Sequence, residues 1–289
     1  MPMPCLSLPA AVAGAVLCGA TYVGCLYIFS GKHRRAEGKA PDRNNPLVIR
    51  ERFARVAVAS ALTPIISLAA TRLPGSAASQ CTMSTVPLVR WFGLWAPGTN
   101  VLTAAALPLL LTMVLFLGPL VAQWLEGELF VRPHADLTDL QRLRNLVVGP
   151  ISEEWVFRAC MCPLLYGAGV DDAANVFTTA GLFGLAHVHH LFDADHSWTV
   201  VAVQFTYTSL FGAYSSYLFL RTGLIVGPVL AHAFCNFQGL PDFGGVQHHP
   251  HRRVVGTAYV AGLAGFILLV TLDAIYRPLL FGSLFWRES

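Results

Sequence analysis

Apolar runs, each close to the length of a membrane crossing and parted by short polar loops, follow one another along the chain. A helix needs about 20 mostly apolar residues to cross the hydrocarbon layer. Runs of that kind fall at 9–30, 54–73, 101–125, 146–166, 173–192, 198–220, 223–239 and 255–276. The pattern predicts an all-α, polytopic transmembrane helical bundle of about eight spans. The seventh run carries Gly223, Gly227 and Pro228 and is expected to be broken or tilted. The segment 279–287 is too short to cross and is expected to lie in the membrane interface. No internal repeat, low-complexity tract or soluble domain interrupts the series, so 1–289 reads as a single integral membrane domain.

Composition agrees and closes several alternatives. Hydrophobic residues fill 55% of 289 positions and charged residues 12%, the balance of a membrane protein rather than of a soluble core. A net charge of +3 gives no argument for nucleic acid as a partner. The seven cysteines are odd in number and show no Cys-x-x-Cys or Cys/His finger spacing, so they read as small buried thiols. Cys160-Met161-Cys162 is too tight for a usual zinc pair. The run 9–30 has basic residues after it and none before, the reverse of a cleavable signal peptide, and is expected to be a retained first span. The final residues Phe285-Trp286-Arg287-Glu288-Ser289 hold no cysteine, so the chain is not expected to be prenylated itself.

Charge orients the bundle. The loop 31–53 holds Lys32, Arg34, Arg35, Lys39, Arg43, Arg50 and Arg52. With that loop in the cytosol, thirteen of the nineteen Lys and Arg residues lie on the cytosolic side, as the positive-inside rule asks. Glu153 then lies roughly 10 Å into the fourth span at 1.5 Å per residue. His187 and His232 fall in the later halves of spans that run back toward the cytosol, so all three share the cytosolic half of the membrane.

These groups stand out because they are costly. A charge near mid-bilayer costs roughly 2.5–3.5 kcal/mol, so Glu153, Glu154 and Arg158 on one span need partners, water or a purpose. Positions four apart share a helical face, which pairs Glu154 with Arg158 and leaves Glu153 for chemistry. The bland alternative has both glutamates pairing with Arg158 and His187 only to hold helices together. His232 and Asn236 are again four apart and face one way, while His189 and His190 read as solvated or interfacial.

Amide hydrolysis needs an activated water, a proton for the leaving amine and donors for the oxyanion. Desolvation favours a buried glutamate as general base. Glu153 suits that role, His187 can share its water, and His232 with Asn236 suits an oxyanion hole. Neither a nucleophile elbow nor His-Glu-x-x-His occurs. A zinc-dependent version of the hydrolysis, with Glu153, His187 and His232 as ligands, remains open. So does a non-enzymatic scaffold or transporter whose buried charges hold helices or relay protons.

Three motifs sharpen the reading: Glu153-Glu154-x-x-x-Arg158, Phe183-x-x-x-His187 and His232-x-x-x-Asn236. In this order the chain resembles the type II CAAX prenyl endopeptidases, the Ras-converting membrane proteases of the wider ABI family. Arg142-Leu143-Arg144-Asn145, Gln204-Phe205-Thr206-Tyr207, Phe211-Gly212-Ala213-Tyr214, Arg221-Thr222-Gly223 and Gly227-Pro228 extend the likeness to its eukaryotic branch. It covers about 45–275, with a variable first span at 9–30 and the catalytic helical core at 101–276. The resemblance implies a multi-pass endoplasmic-reticulum enzyme with an intramembrane cavity open toward the cytosol. It would remove the last three residues of farnesylated or geranylgeranylated CAAX proteins such as small GTPases, with no cofactor and no metal. By the same likeness Glu153 and His187 activate water, His232 and Asn236 stabilise the oxyanion, and Glu154, Arg158 and Phe183 support the site. Phe205, Tyr207, Phe211 and Tyr214 are candidates to line a lipid-facing entrance, though each also suits ordinary helix packing. Arg158 has a second candidate role, meeting the substrate carboxylate. Trp155 is bulkier than the aliphatic residue expected at its place.

Overall fold

The structure, a computed structural model, describes residues 6–27, 42–73, 86–130, 138–188, 198–272 and 281–286. His189 and His190 lie outside the described residues, as does much of the basic loop after the first helix. Along the chain run α1 (Leu8–Tyr27), α2 (Pro46–Ala70), α3 (Leu88–Trp91), α4 (Val101–Leu115), α5 (Leu117–Leu125) and α6 (Asp139–Leu143). They are followed by α7 (Gly149–Glu154), α8 (Cys162–Gly167), α9 (Asp172–His187), α10 (Trp198–Thr222), α11 (Val226–Gln238) and α12 (Arg252–Thr271). No strand occurs among the described residues.

Polar side chains set the helix starts. Asn45 accepts from the Leu47 amide ahead of α2, and Asn100 accepts from Leu102 and Thr103 ahead of α4. Asp171 accepts from the Ala174 amide ahead of α9, and Thr138 with Gln141 forms a reciprocal capping box on α6. Each cap satisfies amides that the first helical turn leaves without a partner.

The all-α, polytopic membrane architecture matches the expectation; the helices themselves are less uniform. Among the described residues three are long and apolar enough to cross a membrane by length and composition, and a fourth arises if α4 and α5, bent by 73° at Phe116, count as one. The other candidate runs fall short for two physical reasons. Some are short: the 16 residues of α9 and 13 of α11 give roughly 24 Å and 20 Å, under the ~30 Å hydrocarbon layer. Others are polar or broken: α10 is 25 residues long but rich in Thr, Ser and Tyr, and 146–166 is divided into four pieces. The motif residues all lie on runs that fall short: Glu153, Glu154 and Arg158 on the broken one, the others on α9 and α11.

Close helix approach depends on missing side chains. A Cβ on Gly227 of α11 would lie 2.7 Å from the Ala104 carbonyl oxygen of α4, and one on Gly262 of α12 would lie 2.6 Å from the Val114 carbonyl oxygen. Small residues at such crossings let helices pack where lipid offers no hydrophobic drive between them. The larger core gathers Phe157, Leu164, Phe183, Phe219 and Phe285. Phe285 stacks on Phe219 at 5.2 Å and meets Tyr166 edge-on at 5.5 Å. Over 281–286 the 279–287 segment packs on the bundle, with the Phe281 and Phe285 rings buried because that removes apolar surface from water. Cys18, Cys160 and Cys162 are buried free thiols, and Cys25 and Cys235 are partly buried and free.

Candidate active site

The backbone that presents the paired glutamates is interrupted, where a continuous helix over 146–166 was expected. Two π-helical turns, Arg144–Val148 and Trp155–Cys160, bracket α7, and α8 begins after Met161. The Gly149 amide reaches back five residues to the Arg144 carbonyl. Pro150 and Pro163, which lack an N–H, sit in the first turns of α7 and α8 and disfavour a single α-helical ladder through the segment. Single π turns of this kind recur at functional sites. Trp155 is accommodated by a specific partner: its indole N–H donates to the Ser60 carbonyl at 2.9 Å.

Glu154 and Arg158 form the ion pair that their spacing implied. Arg158 Nε lies 3.2 Å from Glu154 Oε2, and neither side chain has any solvent exposure. The guanidinium also donates from Nη2 to the Gly212 carbonyl at 3.2 Å and lies 4.3 Å from the centre of the Phe183 ring. These contacts leave Arg158 without solvent exposure, which favours its pairing with Glu154 over a meeting with an incoming carboxylate. Phe183 itself lies between Arg158 and the His187 ring, which it meets at 4.7 Å.

Glu153 turns the other way. Its Oε2 lies 3.9 Å from His187 Nε2 and 3.8 Å from His232 Nε2. Three helical segments far apart in sequence thus bring one carboxylate oxygen and two ring nitrogens together. Such separations exceed a direct hydrogen bond and match two groups that share one water. Glu153 and His187 keep about a fifth of their side-chain surface exposed, whereas Glu154 has none. One glutamate is accessible and its neighbour is sealed.

Hydrogen bonding fixes both rings. His187 Nδ1 lies 2.8 Å from the Phe183 carbonyl oxygen, which can only accept, so Nδ1 carries the hydrogen and Nε2 is left toward Glu153. His232 Nδ1 lies 2.6 Å from Glu154 Oε1 and donates to it, which again turns Nε2 toward Glu153. Phe211 packs on the His232 ring at 4.7 Å. Among the described residues no group of three His, Cys, Asp or Glu side chains is placed to hold a metal ion.

The family described as type II CAAX prenyl endopeptidase, Rce1-like, matches residues 138–238, from the cap of α6 to the end of α11. CAAX prenyl protease 2 of Homo sapiens is 38% identical over 295 residues, covering 91% of this chain and 80% of its own length. The Rattus norvegicus protein of the same name is 34% identical, covering 91% and 79%. The probable CAAX prenyl protease 2 of Schizosaccharomyces pombe is 30% identical, covering 86% and 88%. This chain belongs to the type II CAAX prenyl endopeptidase family. No solved structure matches it.

Within this family member, Asn236 stands apart from the cluster. It is exposed, and its amide N–H donates to the Asn145 carbonyl at 2.9 Å, one turn beyond His232. Asn145 Oδ1 in turn accepts from Arg144 Nε at 2.9 Å, and Arg144 reaches the Arg43 carbonyl at 2.6 Å. The end of α11 is therefore tied through the first π turn to the basic loop ahead of α2. Arg144 has its pKa lowered to about 10 by burial, with Arg43 and Arg52 adding repulsion, and it stays charged at neutral pH.

Sequence reasoning missed three contributors. Ser215 of α10 is buried and donates its hydroxyl to Glu154 Oε2. Tyr22 of α1 shares a hydrogen bond of 3.0 Å with Ser152, which donates to the Gly149 carbonyl and so accepts from the phenol. The first helix thereby buttresses the residue before Glu153. Asn145 is the third, as the acceptor for Asn236. The Ser-Ser pair at 215–216 was a visible signal for the first, Asn145 stood in the Arg142–Asn145 stretch of the likeness without a role, and nothing local marks Tyr22. Of the entrance candidates, Phe211 faces His232 and Tyr214 bonds Thr112 at 2.9 Å, and both are partly buried; Tyr207 remains exposed.

Proposed function

We propose that this chain is an intramembrane endopeptidase that removes the C-terminal tripeptide from farnesylated or geranylgeranylated CAAX proteins at the cytosolic face of the endoplasmic reticulum. The observation that carries the reading is the meeting of Glu153 Oε2 with the Nε2 atoms of His187 and His232 at 3.9 Å and 3.8 Å. A water held there adds to the scissile carbonyl while Glu153 takes one of its protons. His187 Nε2 orients the same water. The proton then passes to the amide nitrogen as the C–N bond breaks, releasing the tripeptide as an amine and leaving a carboxylate on the prenylcysteine.

The developing oxyanion needs donors. His232 can donate from Nε2 only in its doubly protonated form, since Glu154 already accepts Nδ1–H. Asn236 has a second amide N–H besides the one on Asn145. Asn236→Ala is expected to lower turnover by roughly 10²–10³, the usual scale for one oxyanion donor. An unchanged kcat removes Asn236 from the hole.

The direct test is release of the tripeptide from a prenylated peptide by the purified protein in detergent micelles, beside the same peptide without its prenyl group. Cleavage of the prenylated peptide alone is expected, and no cleavage of either overturns the reading. A strong chelator is expected to leave the rate unchanged. Activity abolished by chelation and restored by zinc replaces the metal-free mechanism with the zinc-dependent one.

A further inference from the structure

Glu154 is held from three sides. Oε1 accepts from His232 Nδ1 on α11 at 2.6 Å, Oε2 faces Arg158 Nε at 3.2 Å, and Ser215 of α10 donates its hydroxyl to Oε2. Arg158 is tied by Nη2 to the Gly212 carbonyl, three residues before Ser215 on the same helix. Arginine and carboxylate left to themselves favour a two-bond fork. In that arrangement both Glu154 oxygens would turn to Arg158, and Oε1 would swing out of line with His232 Nδ1. Gly212 and Ser215 oppose that turn together, one holding Nη2 of the guanidinium and the other one carboxylate oxygen.

We propose that Ser215 is a positioning residue for the hydrolysis: its hydroxyl holds Glu154 so that Oε1 stays on His232 Nδ1 and Nε2 stays turned toward Glu153. Ser215 is fully buried, and the group it holds is Glu154. It acts through Glu154 on the tautomer and angle of one ring, as a carboxylate orients the histidine of a catalytic triad. This rests on the peptidase reading above.

The test compares Ser215→Ala with Ser215→Cys. Alanine leaves the hydroxyl position empty and cysteine fills it with a larger, weakly donating sulfur, so a loss common to both follows the hydrogen bond rather than packing. Both variants are expected to lower kcat about 10–100-fold, the scale of one hydrogen bond to a charged group, with KM within about twofold. On the same proteins, 15N NMR of the His232 ring, assigned with His232→Gln, is expected to show Nδ1–H in the wild type and loss of that preference in both variants. Where alanine fails to fold, cysteine decides alone. A cysteine variant with wild-type kcat and an unchanged ring signal overturns the proposal. A ring signal that changes as expected, in a wild-type protein that cleaves no prenylated peptide, leaves the hold of Ser215 on His232 standing and removes the peptidase reading instead.

Discussion

Glu153→Ala and Glu153→Gln are expected to give folded, membrane-inserted proteins that no longer cleave a prenylated peptide. The argument is geometric. Among the described residues Glu153 is the carboxylate that faces both Nε2 atoms, and its side chain remains 22% exposed, so replacing it removes the proton acceptor without opening the core. Losing a general base alone lowers rates by about 10²–10⁴. Here the group also orients the water with His187, which places the loss at or beyond the upper end. His187→Ala is expected to behave alike. The measurement is tripeptide release under saturating substrate, paired with the melting temperature in detergent. Cleavage by Glu153→Ala at the wild-type rate would mean that the base is elsewhere.

The second large effect falls on stability. Glu154→Ala strands Arg158, which is fully buried and enclosed by the rings of Phe183 and Phe211. Removing one partner of a buried ion pair costs about 3–5 kcal/mol, because the remaining charge loses its counter-charge. We expect poor expression and a clearly lower melting temperature. Replacing both members, as in Glu154→Ala with Arg158→Met, is expected to recover much of the stability, since an apolar substitute avoids the stranded charge. The double variant should still be inactive, because His232 Nδ1 has lost its acceptor. Equal melting temperatures for Glu154→Ala and wild type would show that the pair contributes little.

That second prediction also revises the division of labour read from helical spacing. Position along the helix implied that Glu154 is structural and Glu153 chemical. The ion pair is present, but the same carboxylate orients His232, so Glu154 serves both stability and the ring that faces the site. Spacing within one helix reveals intrahelical partners alone. It carries no information about a ring that arrives from α11, 78 residues later.

Much of this protein was determined by its sequence. Apolar runs too long for a soluble core, with so few charges, require an all-helical membrane architecture, because backbone polar groups in lipid must be satisfied within the segment. Charges that lipid penalises marked Glu153, Glu154 and Arg158, and the four-residue spacings marked Phe183 with His187 and His232 with Asn236. Tertiary structure decided the rest. The π turns around α7 depend on hydrogen bonds five residues apart that no apolar pattern encodes, and the 73° bend at Phe116 breaks a run that reads as continuous. Ser215, Tyr22 and Asn145 entered the site through contacts across the bundle, where ordinary residue types acquire their roles from what faces them. Local periodicity is written in neighbouring residues; which ring nitrogen carries a proton depends on a carbonyl or carboxylate that only folding brings within reach.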